Sequence, residues 1–404
     1  MTSEIAISKR AAAIKPSATL AVSAKAAELK AAGKEVLSFA AGEPDFKPPE
    51  AVRKAVAEAS LHQPIRYAPV PGTPELRDAV AKELGAFHKR SFARNEILVS
   101  CGAKHSLANL FLAAIDPGEA VVIGAPYWVS YPDMVGLAGG VPVTVSTTRA
   151  AGWKLTPEVL EPVLGPKTKF VILNSPSNPT GAGYTKDELR ALGEVIAKKT
   201  PKAWIVTDDI YRNLVYDGYE AVSAFEAMQG ITDQIVAVDG VSKTYAMTGH
   251  RVGYMAGPVE LISAASRIQS QTTSGPATLS MIAALAALTD PSVPAEVDAM
   301  RAAFARRRTL ILEGLATAPG VEVERPDGAF YVFADVSRHV GSGAKHATDI
   351  ELATWLLEEA LVATVPGTPF GAPGHLRLSY ATDDASIEEG CRRVAKALSS
   401  LPTA

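Results

Sequence analysis

Five strand-like segments alternate with helix-like segments between about residues 95 and 257, and no other feature of the chain restricts its fold as strongly. The strand candidates are short apolar runs at 97–100, 120–123, 170–174, 204–207 and 235–239, and helix-like stretches such as 186–199 separate them. This alternation predicts an α/β domain with a mostly parallel sheet. Ligands of such sheets bind beyond the carboxyl ends of the strands, so we expect the functional residues there.

The segments outside this region follow a different pattern. A long, Arg-rich helical pattern covers 291–315, strand-like runs follow at 321–324, 329–334 and 376–379, and a helix is predicted at about 349–360. This order indicates a smaller α+β unit, on which the N-terminal helix at 18–32 is expected to pack. We therefore predict a large domain at 46–290 and a small domain formed by 1–45 together with 291–404.

Charge and composition argue against nucleic-acid and membrane binding. The 404 residues include 40 Lys and Arg and 43 Asp and Glu, for a net charge of −3, so no basic surface is predicted. No apolar run approaches the ~18 residues of a membrane span, and no signal-peptide pattern precedes residue 15. Two cysteines, Cys101 and Cys391, predict a reducing, cytoplasmic compartment. The seven histidines show no metal-ligand spacing, so no metal is predicted.

A Ser-Lys pair, Ser242 and Lys243, follows the fifth strand candidate, and Arg251 comes shortly after it. Burial and a neighbouring cation lower the pKa of a lysine, and a Schiff base with an aldehyde requires the neutral amine. The hydroxyl and the guanidinium both suit a phosphate. Together these groups predict pyridoxal phosphate, whereas the Ser-Lys pair alone would also fit an ordinary charged loop.

Polar or aromatic residues also follow the other four strand candidates. Asp208 ends the fourth, where a protonated pyridine nitrogen could be its partner or where it could cap a helix. Asn178 lies in a turn after the third, with an amide that can bond a ring hydroxyl. Gly102 opens a helix after the first, either as an anion site or as a simple tight turn. After the second, Tyr127 and Tyr131 are assigned to core packing.

Six short motifs occur in the order typical of one family. They are Ala-Gly-Glu-Pro-Asp-Phe at 41–46, Pro-Tyr-Trp-Val-Ser-Tyr-Pro at 126–132, Asn-Pro-Thr-Gly at 178–181, Asp-Asp-Ile-Tyr at 208–211, Ser-Lys-x-x-x-Met-x-Gly-x-Arg at 242–251, and Arg-Leu-Ser-Tyr-Ala-Thr at 377–382. Over about 14–398 the chain resembles the class I aminotransferases. It is similar in particular to bacterial aspartate aminotransferases that carry Lys-Pro-Ser-Ala-Thr near the N-terminus, here 15–19. The resemblance implies the fold type I of pyridoxal-phosphate transferases.

The resemblance also implies which positions hold the cofactor. Lys243 resembles the lysine that forms the Schiff base and later moves the substrate proton, and Asp208 resembles the partner of the pyridinium nitrogen. Tyr67 resembles a tyrosine that one subunit of a homodimer donates to the phosphate in its neighbour. The other cofactor contacts implied are Tyr211 and Asn178 at the ring hydroxyl, Trp128 stacked on the ring, and Ser242, Arg251, Gly102, Ala103 and Lys104 around the phosphate.

For the substrate, Arg377 resembles the clamp on the α-carboxylate, and Gly42 resembles a backbone contact. Lys104 resembles the residue that reads an acidic side chain. The other residues expected near the substrate are Trp128, Asn178, Ser17 and Thr19. Three positions depart from the family pattern, namely His105, Asp209 and His250, and they leave every reacting group in place.

The resulting hypothesis is a pyridoxal-phosphate-dependent aminotransferase that moves the amino group of aspartate to 2-oxoglutarate. The alternatives are the same chemistry on prephenate, arogenate, aromatic or kynurenine-type substrates, or a β-lyase, and Lys104 argues for the dicarboxylate. A transcription regulator built on this fold would need an added basic domain, and a Rossmann dehydrogenase would need G-x-G-x-x-G after a strand. Neither pattern occurs in the sequence.

Overall fold

The computed structural model describes residues 7–14, 16 and 18–401. The strands in these ranges are β1 Leu37–Ser38, β2 Ile97–Ser100, β3 Ala120–Ala125, β4 Val141–Ser146, β5 Thr168–Asn174, β6 Trp204–Asp208, β7 Ile235–Gly240, β8 Gly253–Ala256, β9 Glu322–Val323, β10 Tyr331–Asp335, β11 Val362–Ala363, β12 Val365–Pro366 and β13 His375–Ser379. The helices are α1 Lys9–Ala13, α2 Ala18–Ala31, α3 Glu50–His62, α4 Pro74–His88, α5 Ala103–Ala114, α6 Ser130–Leu137, α7 Pro157–Leu160, α8 Lys186–Lys199, α9 Ala224–Ala227, α10 Val241–Thr244, α11 Val259–Thr272, α12 Thr278–Thr289, α13 Val293–Leu315, α14 Asp349–Glu359 and α15 Asp384–Ser399.

A seven-stranded sheet in the order β2-β8-β7-β6-β5-β3-β4 organises the larger part of the chain. Strand β8 is antiparallel to both neighbours, and the pairs from β7 to β4 are parallel. This mostly parallel sheet with flanking helices confirms the predicted fold class. The five predicted strands correspond to β2, β3, β5, β6 and β7, whereas β4 and β8 were not predicted.

Alternate side chains of the central strands enter two separate apolar cores, one on each face of the sheet. In β6, for example, Ile205 packs on the face covered by α4, α8 and α12, and Val206 packs on the face covered by α5, α6 and α11. Burial on both faces explains why these strands read as continuous apolar runs rather than alternating ones. Capping residues in the sequence determine where helices begin. At the start of α8, for example, Thr185 and Glu188 form a capping box.

The smaller sheets come from the C-terminal third together with β1. Strands β12-β13-β10-β9 form an antiparallel sheet, and β1 pairs in parallel with β11. Helices α13, α14 and α15 supply its core through residues such as Phe304, Leu352 and Val394. Ala26 of α2 shares another core with Phe333 of β10, so the N-terminal helix packs on this part. The division at residues 46 and 290 stays a prediction.

None of the helices within the described ranges is long and apolar enough to cross a lipid bilayer.

Candidate active site

A cavity of about 560 Å³ lies where the carboxyl ends of β5, β6 and β7 face the smaller sheets. The predicted site residues that line it are Gly42, Ala103, Lys104, Trp128, Asn178, Asp208, Tyr211, Ser242, Lys243, Arg251 and Arg377. Thr19 lines it as well, whereas Ser17 lies outside the described residues. Two predicted residues do not line it, namely Gly102, which directly precedes the lining residue Ala103, and Tyr67.

Asp208 ends β6 and points its carboxylate into the cavity, although the residue is only 4% exposed. Its Oδ2 accepts a hydrogen bond from the Tyr131 hydroxyl at 2.5 Å, and its Oδ1 accepts from the Ile210 N–H at 3.4 Å. Burial raises the pKa of Asp208 to about 6, against the lowering effect of these hydrogen bonds. The assignment of Tyr131 to core packing was therefore incomplete, because its ring is in the core while its hydroxyl fixes the carboxylate.

Lys243 lies in α10, the single turn of helix that follows β7. Its Nζ donates a hydrogen bond to the carbonyl oxygen of Gly42 at 2.5 Å. Burial is the main reason that the pKa of Lys243 falls to about 8; Glu43 opposes this effect, whereas Arg377 and Arg251 add to it. A lysine with this pKa is partly neutral near pH 7–8, as attack on an aldehyde requires.

Arg377 lies on β13 and is 2% exposed, at the wall of the cavity opposite the central sheet. Its guanidinium donates to Asn178 Oδ1 at 3.0 Å and to the Ala40 carbonyl at 2.9 Å. It also lies over the ring of Tyr331, 4.4 Å from the centroid. The Tyr331 hydroxyl is 2.9 Å from that of Tyr211. Arg377 is thus held in one orientation, and its Nε has no hydrogen-bond partner among the described residues.

The turn before α5 brings three groups together that suit an anion. Gly102 has φ of 94°, and the Arg251 guanidinium lies so close that a Cβ at Gly102 would collide with it. Gly253 lies against the backbone N of Ala103 with equally little room. The N–H groups of a first helical turn have no partner within the helix, so they are available to an anion. The guanidinium, these N–H groups and the hydroxyl of Ser242 fit a phosphate.

Lys104 extends from the same turn toward the aromatic wall. Its Nζ is 4.9 Å from the centroid of the Trp128 ring. Partial burial and the charge of Arg251 lower the pKa of Lys104, and Asp133 raises it. Lys104 forms no salt bridge with any of the described residues, so its charge at the cavity rim is available to a ligand.

Tyr67 is fully exposed, and this chain does not bring it into the cavity. Of the three departures from the family pattern, His105 accepts a hydrogen bond from the Cys101 N–H at 3.2 Å, and burial lowers the pKa of His250. Asp209 is buried and does not line the cavity.

Besides Tyr131, sequence reasoning gave no site role to Tyr331 or Asn174, which hold other residues of the site in place. Tyr331 was read as part of an apolar strand, yet its hydroxyl and ring hold Tyr211 and Arg377. Asn174 lines the cavity, donates to the Asp208 carbonyl at 2.8 Å and accepts from the Asn178 N–H at 2.9 Å. A buried tyrosine hydroxyl or side-chain amide needs a hydrogen-bond partner, and this was the only signal in the sequence. It does not show which residue the partner is.

The donor set fits pyridoxal phosphate. A buried carboxylate, an amine of lowered pKa and a phosphate-binding turn line one cavity, as a ring nitrogen, an aldehyde and a phosphate require. In residues 7–14, 16 and 18–401, no group of three His, Cys, Asp or Glu residues is arranged to hold a metal ion.

Comparison with known sequences gives one consistent result. The family model described as aminotransferase class I and II matches residues 34–394. The aspartate/prephenate aminotransferase of Cereibacter sphaeroides is 45% identical over 392 residues, which are 96% of this chain and 97% of the relative. The aspartate aminotransferase of Geobacillus stearothermophilus is 43% identical over 388 residues, which are 96% of this chain and 98% of the relative.

Solved structures agree with the sequence comparison. The aspartate aminotransferase from Thermus thermophilus with maleate superposes with a TM-score of 0.91 at 42% identity, and the match covers 98% of this chain and 100% of that one. The aspartate aminotransferase from Rhizobium meliloti gives a TM-score of 0.93 at 39% identity with the same coverage.

Proposed function

The chain belongs to the class I and II aminotransferases, which depend on pyridoxal phosphate, and from this premise we propose that it transfers the amino group of aspartate to 2-oxoglutarate. The observation that carries the choice of substrate is the pair of cations that the cofactor does not use. With Lys243 and Arg251 assigned to the cofactor, Arg377 and Lys104 are the cations left along the cavity wall among the described residues. Aspartate and 2-oxoglutarate each carry two carboxylates, and a matched cation for each is the arrangement that desolvated carboxylates require.

Pyridoxal phosphate, when bound, supplies an aldehyde that combines with amines and a ring that delocalises the electron pair left at the substrate Cα. In the proposal, Lys243 Nζ would hold the aldehyde of the cofactor when no substrate is bound. With substrate bound, the free amine of Lys243 would be the base that takes the proton from Cα and delivers it to the former aldehyde carbon of the cofactor. Its lowered pKa suits this task, because a larger fraction of the amine is neutral near pH 7–8 than in an ordinary lysine.

Asp208 would pair with the ring nitrogen, since it is the carboxylate held rigidly at the end of β6 by Tyr131. A negative charge fixed beside that nitrogen keeps it protonated, and this makes the ring an effective acceptor of electrons. Tyr211 would donate to the ring hydroxyl. Arg251, Ser242 and the first N–H groups of α5 would bind the phosphate.

Arg377 would bind the α-carboxylate through its two terminal nitrogens, and its stacking on Tyr331 limits the orientations that the guanidinium can adopt. Lys104, which lines the same cavity, would bind the side-chain carboxylate. Maleate, the dicarboxylate named with the Thermus thermophilus enzyme, fits this reading by its chemistry.

We also propose that two chains share their sites in a homodimer. Tyr67 matches the position that reaches the neighbour's phosphate, and its side chain is fully exposed on the single chain. Loop 66–72 is held by Gln269, which donates to the Val70 and Val99 carbonyls, so Tyr67 extends from an anchored base.

A cytoplasmic location is part of the same proposal. It depends on the two unpaired cysteines, Cys101 and Cys391, because paired cysteines are the usual mark of an oxidising compartment. Fractionation of the native cells tests it, and recovery of the protein outside the cytoplasm would contradict it.

The experiment that tests the function is a panel of amino donors with 2-oxoglutarate as acceptor. We expect aspartate to exceed alanine and phenylalanine in kcat/KM by about tenfold or more. A faster reaction with an aromatic donor would contradict the choice of aspartate.

Prephenate is a second candidate acceptor, because the Cereibacter sphaeroides relative is named for both substrates. Prephenate also has two carboxylates, so Arg377 and Lys104 suit it equally. Transfer from aspartate to prephenate, measured beside transfer to 2-oxoglutarate, separates the two assignments. Equal loss of both activities in Lys104→Ala would indicate that both acceptors use the same cation.

A further inference from the structure

Two buried polar atoms face each other without partners on the side of β6 that does not line the cavity. Nε2 of His88, at the end of α4, lies 3.8 Å from Oδ2 of Asp209, and neither atom has a hydrogen-bond partner among the described residues. Each residue is 1% exposed. Buried polar groups are almost always paired, because an unpaired one loses its hydration without compensation. The roles assigned to the cavity do not explain this pair.

The other polar atom of each side chain already has a partner, so the facing atoms depend on which ring nitrogen of His88 carries the hydrogen. His88 Nδ1 is 2.9 Å from Ser223 Oγ, and Asp209 Oδ1 accepts from the Thr207 hydroxyl at 2.6 Å. Ser223 caps α9 by accepting from the Glu226 N–H, and its remaining lone pair can accept from an N–H on Nδ1. A neutral ring with its hydrogen on Nδ1 has a bare lone pair on Nε2. A lone pair and a carboxylate oxygen repel each other unless a proton lies between them.

Among the described residues, the cations near the pair already have acidic partners, and one of them, Arg90, pairs with Glu96. Arg212 is the buried cation of this region, and its Nε donates to Asp239 Oδ2 at 2.7 Å while its Nη2 pairs with Glu83. Two carboxylates therefore already share one guanidinium, and Asp208 adds a third acid at the adjacent position. An ionised Asp209 would be a further uncompensated charge in a desolvated region.

The same surroundings favour the uncharged form of both Asp209 and His88. Burial, followed by the like charges of Asp239 and Asp208, raises the pKa of Asp209 well above its usual value, although the Thr207 hydrogen bond lowers it. Burial, with a smaller contribution from Arg90, lowers the pKa of His88 to about 3. Both groups are therefore driven toward their uncharged forms.

We propose that Asp209 is a neutral carboxylic acid whose proton lies on Oδ2 and points to Nε2 of His88, which leaves Asp208 as the ionised carboxylate at this end of β6. The inference rests on the proposed pairing of Asp208 with the cofactor's ring nitrogen. A second negative charge on the adjacent residue would oppose the ionisation of Asp208. His88 and Asp209 are positioning residues, because they line no part of the cavity and act on the cofactor only through Asp208.

The protonation state can be read directly in the holoenzyme labelled with ¹⁵N-histidine. His88→Gln identifies the signals of His88, and its amide can still accept from Asp209 and donate to Ser223. We expect a neutral ring with hydrogen on Nδ1 and none on Nε2 between about pH 6 and pH 9. An imidazolium, or a ring with hydrogen on Nε2, would overturn the proposal. If His88→Gln does not fold, the signals displaced in Asp209→Asn provide the assignment.

Asp209→Asn gives a second readout, because it places an uncharged group of the same shape opposite Nε2 and can donate an N–H to it. We expect the apoenzyme's affinity for pyridoxal phosphate to stay within about twofold of wild type, and the pH titration of the bound cofactor's absorbance to stay within about half a pH unit. A loss of affinity of about tenfold, or a titration displaced by about one unit, would show that a charge at 209 is required.

Asp208→Asn separates this inference from the proposed function. It should displace the absorbance titration strongly, since it removes the charge beside the ring nitrogen. If Asp208→Asn leaves the titration unchanged while His88 is neutral, the role of Asp208 fails and the protonated state of Asp209 still holds. If Asp208→Asn displaces the titration while His88 is an imidazolium, the role of Asp208 holds and the protonated state of Asp209 fails.

Discussion

Lys104→Met tests the recognition of the second carboxylate with little change of shape. The methionine side chain keeps an apolar stem beside the Trp128 ring, from which the lysine Nζ is 4.9 Å distant, and it removes only the charge. Because Lys104 lines the same cavity as Arg377, the loss should fall on substrates with a side-chain carboxylate. Lys104→Arg is the matched control, since it keeps the charge at the same position.

The size of the effect follows from the position of Lys104 at the rim of the cavity. A hydrogen bond to a charged group contributes about 1.5–3 kcal/mol, and partial exposure of the lysine to water reduces this to about 1–2 kcal/mol. A loss of about 1–2 kcal/mol corresponds to a roughly 5- to 30-fold decrease in kcat/KM. Aspartate and glutamate should lose this amount, whereas alanine and phenylalanine should lose less than about twofold.

Steady-state kinetics with the four donors, at saturating pyridoxal phosphate and with an oxo acid other than 2-oxoglutarate as the acceptor for glutamate, provide the measurement. Cofactor affinity is determined in parallel, because Lys104 directly follows the phosphate-binding turn. An equal loss for acidic and neutral donors, together with weaker cofactor binding, would refute the reasoning. It would make Lys104 a counter-charge for the phosphate and would favour the aromatic and kynurenine-type alternatives.

The remaining predictions concern the cofactor site. Lys243→Ala should fold and bind pyridoxal phosphate without a covalent bond that borohydride can reduce, and near-normal transamination by this variant would refute the assignment of Lys243. Mixing refolded Lys243→Ala and Tyr67→Ala chains should restore activity above either parent if the sites are shared, and a stable monomer in sedimentation would contradict it. Gly253→Ala should weaken cofactor binding, measured by fluorescence titration, by about tenfold or more, since its Cβ would displace the backbone of Ala103. Gly249→Ala is the control and should bind the cofactor normally, because a Cβ at Gly249 meets open space. In the apoenzyme, the rate at which Lys243 reacts with a small aldehyde should rise with pH and level off above about pH 8, because the neutral amine is the nucleophile; a rate that rises unchanged to pH 10 would indicate an ordinary lysine.

The parts of the fold that the sequence predicted are those whose side chains are buried on both faces. β5 to β7 read as apolar runs because helices cover the sheet on each side. β4 was missed because it lies at the edge of the sheet, where most of its residues are exposed and Pro142 interrupts the pattern. β8 is only four residues long and starts with glycine, so its composition resembles a turn.

The parts of the site that the sequence missed are those set by contacts between distant segments. The motifs assigned roles to Asp208 and Arg377, but no such role to Tyr131 or Tyr331, whose side chains contact them. Tyr131 and Tyr331 have the local composition of core residues, and only the tertiary structure determines where each hydroxyl group lies. For Tyr67 even the folded chain is insufficient, because the proposed contact belongs to a neighbouring subunit.

The pairing of β1 with β11 has a consequence for the order in which the protein is made. Leu37 pairs with Val362, 325 positions later in the chain, and at a translation rate of ~5–20 residues per second roughly 15–65 s separate their synthesis. Throughout this interval the apolar segment that carries Gly42 has no strand to join. We therefore expect the nascent chain to depend on chaperones for this segment, and the Gly42 side of the cavity to form only after β11 has been synthesised.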